Sequence, residues 1–358
     1  MLEKAYYTYK NTVIRQAGQP THLLVICSIP GSLQNNYKEK ISSGKHFHNV
    51  LCLSEAKGMD IKMSKARKLS QEEFRTIQLL ELDMLEEMDR VCRKHDIKYC
   101  ISYGTLLGAV RHKGYIPWDD DADIAMLREE YEKFRKVADE LDPSICYFQD
   151  HFNDPEYLWQ HGKLRRTGTT FVRAGQEHMK GKTGVFVDIF IMDDCPESLS
   201  GMILQNIWCF FLRKILYARV GKVNAKGLSK LCYKCLDLIS VDWVYKQVDK
   251  MSKKSSNSTP NRVRSLLYPL FETMKNYHHG KDHFGIPKSW FLERAEYDFE
   301  GYKFYGTKDY DAFLTFFYYD YMTPPPVEKR YPHATVSSIN LNVDSKNVRE
   351  KLHAGRII

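Results

Sequence analysis

The sequence predicts an α/β fold, because short apolar segments of strand length alternate with segments of helical periodicity. Residues 99–102 and 185–190 are apolar runs that are too short for helices and indicate buried strands. Between residues 77 and 91, in contrast, large apolar residues recur every three or four positions, which is typical of an amphipathic helix. The chain has 358 residues, which is enough for one large domain or two with a substantial core.

The first 62 residues form an extension without a motif that indicates a role. Apolar runs at 23–29 and 50–53 predict two short strands with a helix between them, which is too little to bury a core. We expect this extension to be partly disordered or to result from an upstream start, because the segment from Met63 resembles an ordinary protein start. Ser70 and Glu73 then form a capping-box pattern, which predicts where the first helix of the catalytic core begins.

Four aspartates lie within five positions at the start of a predicted strand. Asp121 and Asp123 are separated by one residue, so a strand would point both carboxylates to the same side. Carboxylates this close repel each other unless a cation lies between them, and oxygen ligands suit Mg²⁺, with Mn²⁺ as an alternative. Asp119 is a further candidate ligand. The alternative is a solvated or calcium-binding loop, although an EF-hand needs a glycine where Ile124 stands.

Upstream of the aspartates, Gly104 and Thr105 lie between a predicted strand and a short predicted helix. Free N–H groups at the start of a helix can bind phosphate, so both residues are candidates for substrate binding. Arg111 and His112 end this helix, where a positive charge is favourable to the helix dipole, and they lead into the loop that holds Trp118. We expect these three residues either to contact the substrate or to act structurally; Trp118 could stack on a base or on a choline headgroup.

Asp188 is the candidate for a third catalytic carboxylate. It is the only charged residue in the apolar segment 185–190, and burying a carboxylate is costly unless it has a cationic partner or a metal. It would accept the proton of an attacking hydroxyl or complete the metal shell, and a structural ion pair with an arginine is the alternative. Asp193 and Asp194 follow the predicted strand and are expected in a loop.

A basic cluster lies between these acidic segments and consists of Lys163, Arg165 and Arg166. Such clusters are commonly exposed to solvent, but phosphoryl transfer requires cations close to the phosphates. We therefore expect Lys163 and Arg166 to bind the diphosphate of a donor, with a solvated surface cluster as the alternative.

The net charge of +8 does not indicate nucleic-acid binding when it is divided along the chain. Residues 69–212, which hold the aspartates, contain 17 basic and 26 acidic residues and would repel a nucleic-acid backbone. Residues 213–264 contain 13 basic and 3 acidic residues and follow an uncharged run at 198–212. This run is shorter than the roughly 20 residues that cross a bilayer, so a buried core helix is the first expectation. The alternative is an interfacial helix that gives peripheral membrane contact through 198–264.

These motifs resemble the LicD family, the bacterial phosphocholine transferases that are related to the fukutin group within the nucleotidyltransferase-fold superfamily. The resemblance extends from about residue 69 to residue 333. It is carried by LLGAVRH at 106–112, IPWDDD at 116–121 and GVFVDIF at 184–190. Two residues depart from the family pattern: Tyr103 precedes the turn where glycine is usual, and Tyr319 stands where Tyr-Gly-Asp is usual.

The resemblance implies a nucleotidyltransferase-like core at 63–197, with a mixed sheet and flanking helices. A helical, aromatic-rich C-terminal part at 198–335 and a tail at 336–358 would follow. It also implies Mg²⁺-dependent transfer of a phospho-alcohol group, above all phosphocholine from CDP-choline, to a hydroxyl of a cell-surface glycan. The glycan would be a lipopolysaccharide, teichoic acid or capsule precursor.

Two other functions stay open at this point. One is a nucleotidyltransferase that adds a nucleotide to a sugar or a protein, and the other is a non-catalytic binding protein on the same fold. The nine cysteines follow no repeating pattern and no secretory signal opens the chain, so we expect a cytoplasmic protein. An interfacial helix would bring it to the inner face of the membrane.

Overall fold

The computed structural model describes residues 66–255, 261–268, 280–330 and 335–352, and the extension at 1–62 with its predicted strands lies outside them. Within these ranges the helices are α1 Gln71–Lys94, α2 Tyr103–His112, α3 Arg128–Val137, α4 Leu199–Asn224, α5 Gly227–Leu236, α6 Val241–Ser255, α7 Ser289–Leu292, α8 Tyr310–Tyr318 and α9 Lys346–Lys351. The strands are β1 Arg67–Lys68, β2 Cys100–Ile101, β3 Ala122–Leu127, β4 Cys146–Gln149, β5 Gly162–Arg166, β6 Thr170–Arg173, β7 Phe186–Asp194, β8 Arg262–Arg264, β9 Ile286–Pro287, β10 Arg294–Phe299, β11 Tyr302–Thr307 and β12 Thr335–Asn340. Short 3₁₀ helices lie at Ala138–Glu140, Gly280–His283 and Val327–Lys329.

A mixed sheet forms the centre of the described structure. Its strands lie in the order β10-β11-β2-β3-β7-β5-β4, and β8 pairs with the end of β7 and with β9. The pairs β3–β7 and β11–β2 are parallel, whereas the other neighbours in this order are antiparallel. A second, smaller sheet joins β1, β12 and β6. Helices combined with a mixed sheet confirm the predicted α/β class.

Helix α1 begins where the capping-box pattern predicts it. The Ser70 hydroxyl accepts a hydrogen bond from the Glu73 backbone N–H, and the Glu73 carboxylate accepts one from the Ser70 N–H. The apolar stripe from Ile77 to Val91 is buried in the central core, where α1 packs on β5 and β7. Full burial of each large apolar side chain contributes about 1.5–3 kcal/mol, so α1 is a principal support of the sheet.

Strand β7 is longer than predicted, because Asp193 and Asp194 continue it and do not enter a loop. The buried Asp193 carboxylate accepts two hydrogen bonds from the Arg128 guanidinium, at 2.7 and 2.9 Å. Asp194 lies 2.8 Å from the Lys288 ammonium. Cationic partners from distant parts of the chain reduce the cost of placing carboxylates in a strand, and this is why the loop expectation was wrong.

The predicted helical C-terminal part begins with α4, α5 and α6 but does not stay helical. Strands β10 and β11 return to the central sheet, where β11 lies beside β2. The predicted tail also belongs to the fold, because β12 pairs with β1 and β6 and α9 packs on α1. Segments far apart in sequence therefore complete both sheets.

Helix α4 buries only part of its surface, so the expectation of a buried core helix was wrong for its outer face. Its inner face includes Cys209, Leu212 and Leu216, which pack in an apolar cluster with residues of α6. Several large apolar side chains on its outer face are exposed, namely Ile203, Leu204, Ile207, Trp208 and Phe211. None of the described helices is long and apolar enough to pass through a bilayer.

Candidate active site

The turn between β2 and α2 lies against the acidic segment. The Thr105 hydroxyl oxygen accepts a hydrogen bond from the Asp123 backbone N–H at 2.8 Å. Gly104 lies so close to Asp119 that a β-carbon at position 104 would overlap the Asp119 carboxylate. A larger residue at position 104 would therefore have to displace the Asp119 side chain, and the Thr105 hydrogen bond connects the start of α2 directly to β3.

The two tyrosines that depart from the family pattern both have left-handed backbone conformations. Tyr103 has a φ of 48° and Tyr319 a φ of 61°, a region that glycine enters at less cost than other residues. The Tyr103 ring packs in an aromatic cluster, with ring centroids 5.5 Å from Phe190 and 4.9 Å from Phe317. Burial of this ring offsets the backbone strain at position 103, so the turn persists without its usual glycine.

Four carboxylates form what we call the acidic cluster: Asp119, Asp120, Asp121 and Asp123. Carboxylate oxygens of the first three lie within 4.8 Å of one another, a spacing that a single cation can bridge. Burial and the neighbouring carboxylates raise the pKa of Asp119 to about 8 and the pKa of Asp121 to about 6. Burial, followed by Asp121 and Asp188, raises the pKa of Asp123 well above its usual range. The cluster therefore favours either protons or a bound cation.

Asp188 lies beside the acidic cluster but has cationic partners of its own. The register of β3 and β7 pairs Asp123 with Asp188, and the register of β5 and β7 pairs Lys163 with Asp188. Lys163 and Asp188 form a buried ion pair, and His161 Nε2 lies 3.3 Å from the same carboxylate. Burial raises the pKa of Asp188, but Lys163 and His161 outweigh this effect and hold it below its ordinary value. Asp188 is therefore ionised at neutral pH.

Burial lowers the pKa of Lys163 to about 8, even though Asp188 favours its charged form. The Lys163 ammonium also lies 3.5 Å from the centroid of the Phe186 ring, which attracts a cation through its π-electrons. Arg165 and Arg173 lie around the same ring, at 5.2 and 5.3 Å. We call Lys163, Arg165 and Arg173, together with His161, the basic wall.

A cavity of about 450 Å³ lies between the acidic cluster and the basic wall. This volume is within the range of pockets that bind small molecules and cofactors. Its charged lining includes Asp121, Asp123, Asp188 and all four residues of the basic wall. Aromatic side chains complete the lining, namely Tyr157, Trp159, Phe171, Phe186, Phe190 and Tyr268. An anionic ligand with an aromatic or cationic end matches this combination of surfaces.

Known proteins are similar to this chain in sequence. Residues 96–213 match the family model described as the LicD/FKTN/FKRP nucleotidyltransferase domain. Over 279 residues the chain is 29% identical to the lipopolysaccharide cholinephosphotransferase LicD of Haemophilus influenzae, which corresponds to 73% of this chain and 95% of that protein. The chain is therefore similar to the LicD family, with the family's nucleotidyltransferase domain at residues 96–213, as the sequence motifs predict. This similarity supports a transferase.

Two shorter matches cover smaller parts of the chain. An uncharacterized protein of Rickettsia typhi is 32% identical over 97 residues, which is 27% of this chain and 31% of that protein. A second rickettsial protein, from Rickettsia prowazekii, is 39% identical over 59 residues, which is 16% of this chain and 22% of that protein.

Among the predicted LicD-type site residues, Asp121, Asp123, Lys163 and Asp188 line the cavity. Arg166 does not, although it lies close to Lys163 in sequence. Its guanidinium donates hydrogen bonds to the backbone carbonyls of Ser144, Ile145 and Asp344 at 2.6–2.8 Å. Arg166 therefore lies in the protein interior, where it connects these backbone segments.

Gly104, Thr105, Arg111, His112, Trp118 and Asp119 also lie outside the cavity lining. Arg111 donates to the Tyr321 carbonyl at 2.6 Å and to His112 Nε2 at 2.9 Å. The Trp118 ring packs edge-on against His112, and the Arg330 guanidinium lies 5.1 Å from its centroid. These contacts connect α2 and the loop after it to residues 321–330. They fit the structural role that the sequence analysis left open for Arg111, His112 and Trp118.

Sequence reasoning missed Glu81, His161 and Arg173. Glu81 lies on α1 with only 1% of its surface exposed, and one of its carboxyl oxygens has no hydrogen-bond partner among the described residues. Burial, followed by Asp121, Asp120 and Asp119, raises its pKa well above the usual range, so it belongs to the surroundings of the acidic cluster. Its position four residues after Ile77, within the apolar stripe, was the signal that could have found it.

Proposed function

We propose that this protein transfers phosphocholine from CDP-choline to a hydroxyl of a cell-surface glycan precursor, in a reaction that depends on Mg²⁺. The observation that carries the proposal is the cavity bordered by the acidic cluster on one side and the basic wall on the other. The Haemophilus influenzae relative, which aligns over 95% of its own length, is named a lipopolysaccharide cholinephosphotransferase. This name supports phosphocholine as the group and a surface glycan as the acceptor.

The residues present fit a magnesium ion. The acidic cluster offers only oxygen ligands, and three of its carboxylates lie within 4.8 Å of one another. Burial and neighbouring carboxylates raise the pKa values of Asp119 and Asp121, and a bound cation would offset both effects. Asp119, Asp120, Asp121 and Asp123 would hold Mg²⁺, which when bound neutralises phosphate charge and favours departure of the nucleotide.

The basic wall supplies the donor site in this proposal. Arg165 and Arg173 lie on the cavity beside Lys163 and would bind the diphosphate, since guanidinium groups form paired hydrogen bonds with phosphate oxygens. The cavity aromatics would receive the base or the choline headgroup, because aromatic faces attract quaternary ammonium groups.

Asp188 would orient the acceptor. Lys163 and His161 keep its carboxylate ionised, so it can accept a hydrogen bond from the attacking hydroxyl and then its proton. Fixing the hydroxyl in line with the leaving nucleotide is the main catalytic contribution expected of protein residues in phosphoryl transfer.

The experiment that tests the proposal measures CMP release and product formation by the full chain. CDP-choline, CDP-ribitol and other CDP-alcohols are offered with Mg²⁺ and with lipopolysaccharide, teichoic acid or capsule precursors as acceptors. We expect CMP release with CDP-choline to depend on an acceptor and to be lost in Asp123→Asn. The control is Asp298→Asn, which changes a carboxylate that is 60% exposed and lies on β10.

Two results would overturn the proposal. Transfer of radioactivity from labelled CTP into the acceptor would identify a nucleotidyltransferase. Absence of transfer from every CDP-alcohol, with donor binding unchanged in Asp123→Asn, would indicate a binding protein.

A further inference from the structure

The outer face of α4 is an exposed apolar surface. The exposed fractions are 67% for Leu204, 48% for Ile207, 41% for Trp208 and 51% for Phe211. Their spacing of three and four residues places them on one side of the helix, along about two turns. Trp243 of α6 is 38% exposed and contacts Trp208 edge-to-face at 6.1 Å, so the surface continues onto a second helix. We call these five residues the apolar face.

Cationic side chains border the apolar face. Arg213 and Lys214 lie at the end of it, with their charged groups 5.7 and 5.5 Å from the Phe210 ring centroid. From there to residue 264 the chain contains 13 basic and 3 acidic residues. An apolar helix face that is followed along the chain by a strongly basic segment is typical of helices that lie in the interface of an anionic membrane.

We propose that the apolar face docks this protein onto a membrane surface that contains anionic lipids. The basic excess of residues 213–264 disfavours a second copy of the chain, which would bring the same net charge to the contact. The same helix also reaches the cavity, because Arg213 and Leu216 are among its lining residues. Docking would therefore hold the cavity close to the lipid surface. The proposal does not rest on the donor or the acceptor proposed above.

The test measures flotation of the full chain with vesicles, without any substrate. Vesicles of phosphatidylcholine alone are compared with vesicles of phosphatidylcholine and phosphatidylglycerol in equal parts. The variant Leu204→Ser/Phe211→Ser removes two side chains of the apolar face. The matched control, Leu292→Ser/Val327→Ser, removes two apolar side chains with exposed fractions of 51% and 73% that lie outside α4.

We expect the unmodified protein and the control to float with the anionic vesicles. The Leu204→Ser/Phe211→Ser variant should bind them more than about tenfold less tightly, since insertion of each large side chain favours the bound state. Tryptophan fluorescence should shift to shorter wavelength on binding, and Trp208→Phe/Trp243→Phe should lose most of this shift. Melting curves show whether each variant is folded.

Three outcomes would overturn the proposal. The first is absence of binding to anionic vesicles by the full chain. The second is equal binding by the Leu204→Ser/Phe211→Ser variant and the control. The third is a lipid-free dimer that this variant converts to a monomer, which would make the apolar face an interface between copies.

Discussion

In the acidic cluster, carboxylates crowd together, and burial and mutual repulsion raise the pKa of Asp119 to about 8 and of Asp121 to about 6. In the basic wall, across the same cavity, Lys163 is already paired with Asp188. A cation from outside the chain would offset the repulsion within the first group, whereas Lys163 of the second group already has a partner within the chain. The difference indicates that the acidic cluster favours ligand binding and lowers the stability of the fold. The Lys163–Asp188 pair, in contrast, contributes to ligand binding and to stability.

The largest expected effect is a loss of turnover in a variant of the acidic cluster. Asp121→Asn should reduce turnover by about a thousandfold, because a charge that stabilises the transition state is removed from the cluster. Its melting temperature should stay the same or rise, since one repelling carboxylate is lost. Measurements of turnover and of melting temperature, with Asp298→Asn as the control, test this prediction. Near-normal turnover would mean that Asp121 is not part of the catalytic machinery.

The next effect is on stability and concerns the basic wall. Lys163→Met should lower the free energy of unfolding by about 3–5 kcal/mol, because it leaves the buried Asp188 carboxylate without its main partner. The double variant Lys163→Met/Asp188→Asn should recover part of this loss, since it removes the unpaired charge. Urea unfolding of both variants measures the difference. Equal stability of Lys163→Met and the unmodified protein would contradict the buried pair.

Metal addition tests the acidic cluster directly. Mg²⁺ at a concentration one hundred times its dissociation constant should stabilise the protein by about 2.7 kcal/mol, through binding to the folded state alone. Asp121→Asn should lose most of this gain and Lys163→Arg should keep it. EDTA should abolish turnover, and Ca²⁺ should restore it poorly, because its coordination is larger and less regular. A Mg²⁺-induced shift in melting temperature that is unchanged in Asp121→Asn would contradict the metal assignment.

The smallest effect is a dependence of stability on pH. The folded-state pKa values of Asp119 and Asp121, about 8 and about 6, lie above the ordinary aspartate value of 3.8 that holds in the unfolded chain. Such groups bind more protons when folded, so their contribution to stability is complete below pH 3.8 and is lost as the pH rises through 6 and 8. Metal-free protein should therefore become less stable over this range, and Mg²⁺ should reduce the slope. The double variant Asp119→Asn/Asp121→Asn should show a smaller slope and a smaller response to Mg²⁺ in urea unfolding at several pH values.

Two long helices show what sequence periodicity can and cannot predict. The stripe of α1 and the apolar run that begins α4 are both evident in the sequence, and both were expected to be buried. The stripe of α1 lies in the central core, whereas the outer face of α4 is exposed. Periodicity locates an apolar face, but the element that covers it comes from elsewhere in the chain.

The site residues divide in a similar way. Asp121 and Asp123 were predictable from their two-residue spacing at the start of an apolar strand, and Asp188 from the cost of a carboxylate within one. In β5 the two-residue alternation of a strand places Lys163 and Arg165 on the cavity and turns Arg166 away from it. The same alternation identifies His161 once the strand is known. The cationic partner of Asp193 and the acidic surroundings of Glu81 come from other parts of the chain, so no local sequence pattern predicts them.

The position of β11 beside β2 has a consequence for synthesis of the protein. Gly306 pairs with Ile101, so one edge of β2 has no neighbour until about two hundred further residues have left the ribosome. At about 5–20 residues per second, this interval lasts roughly 10–40 s. Strand β2 has only two residues, Cys100–Ile101, and offers few backbone groups to a neighbouring chain during that time. A short strand at this position thus protects the nascent chain from aggregation until its own C-terminal part arrives.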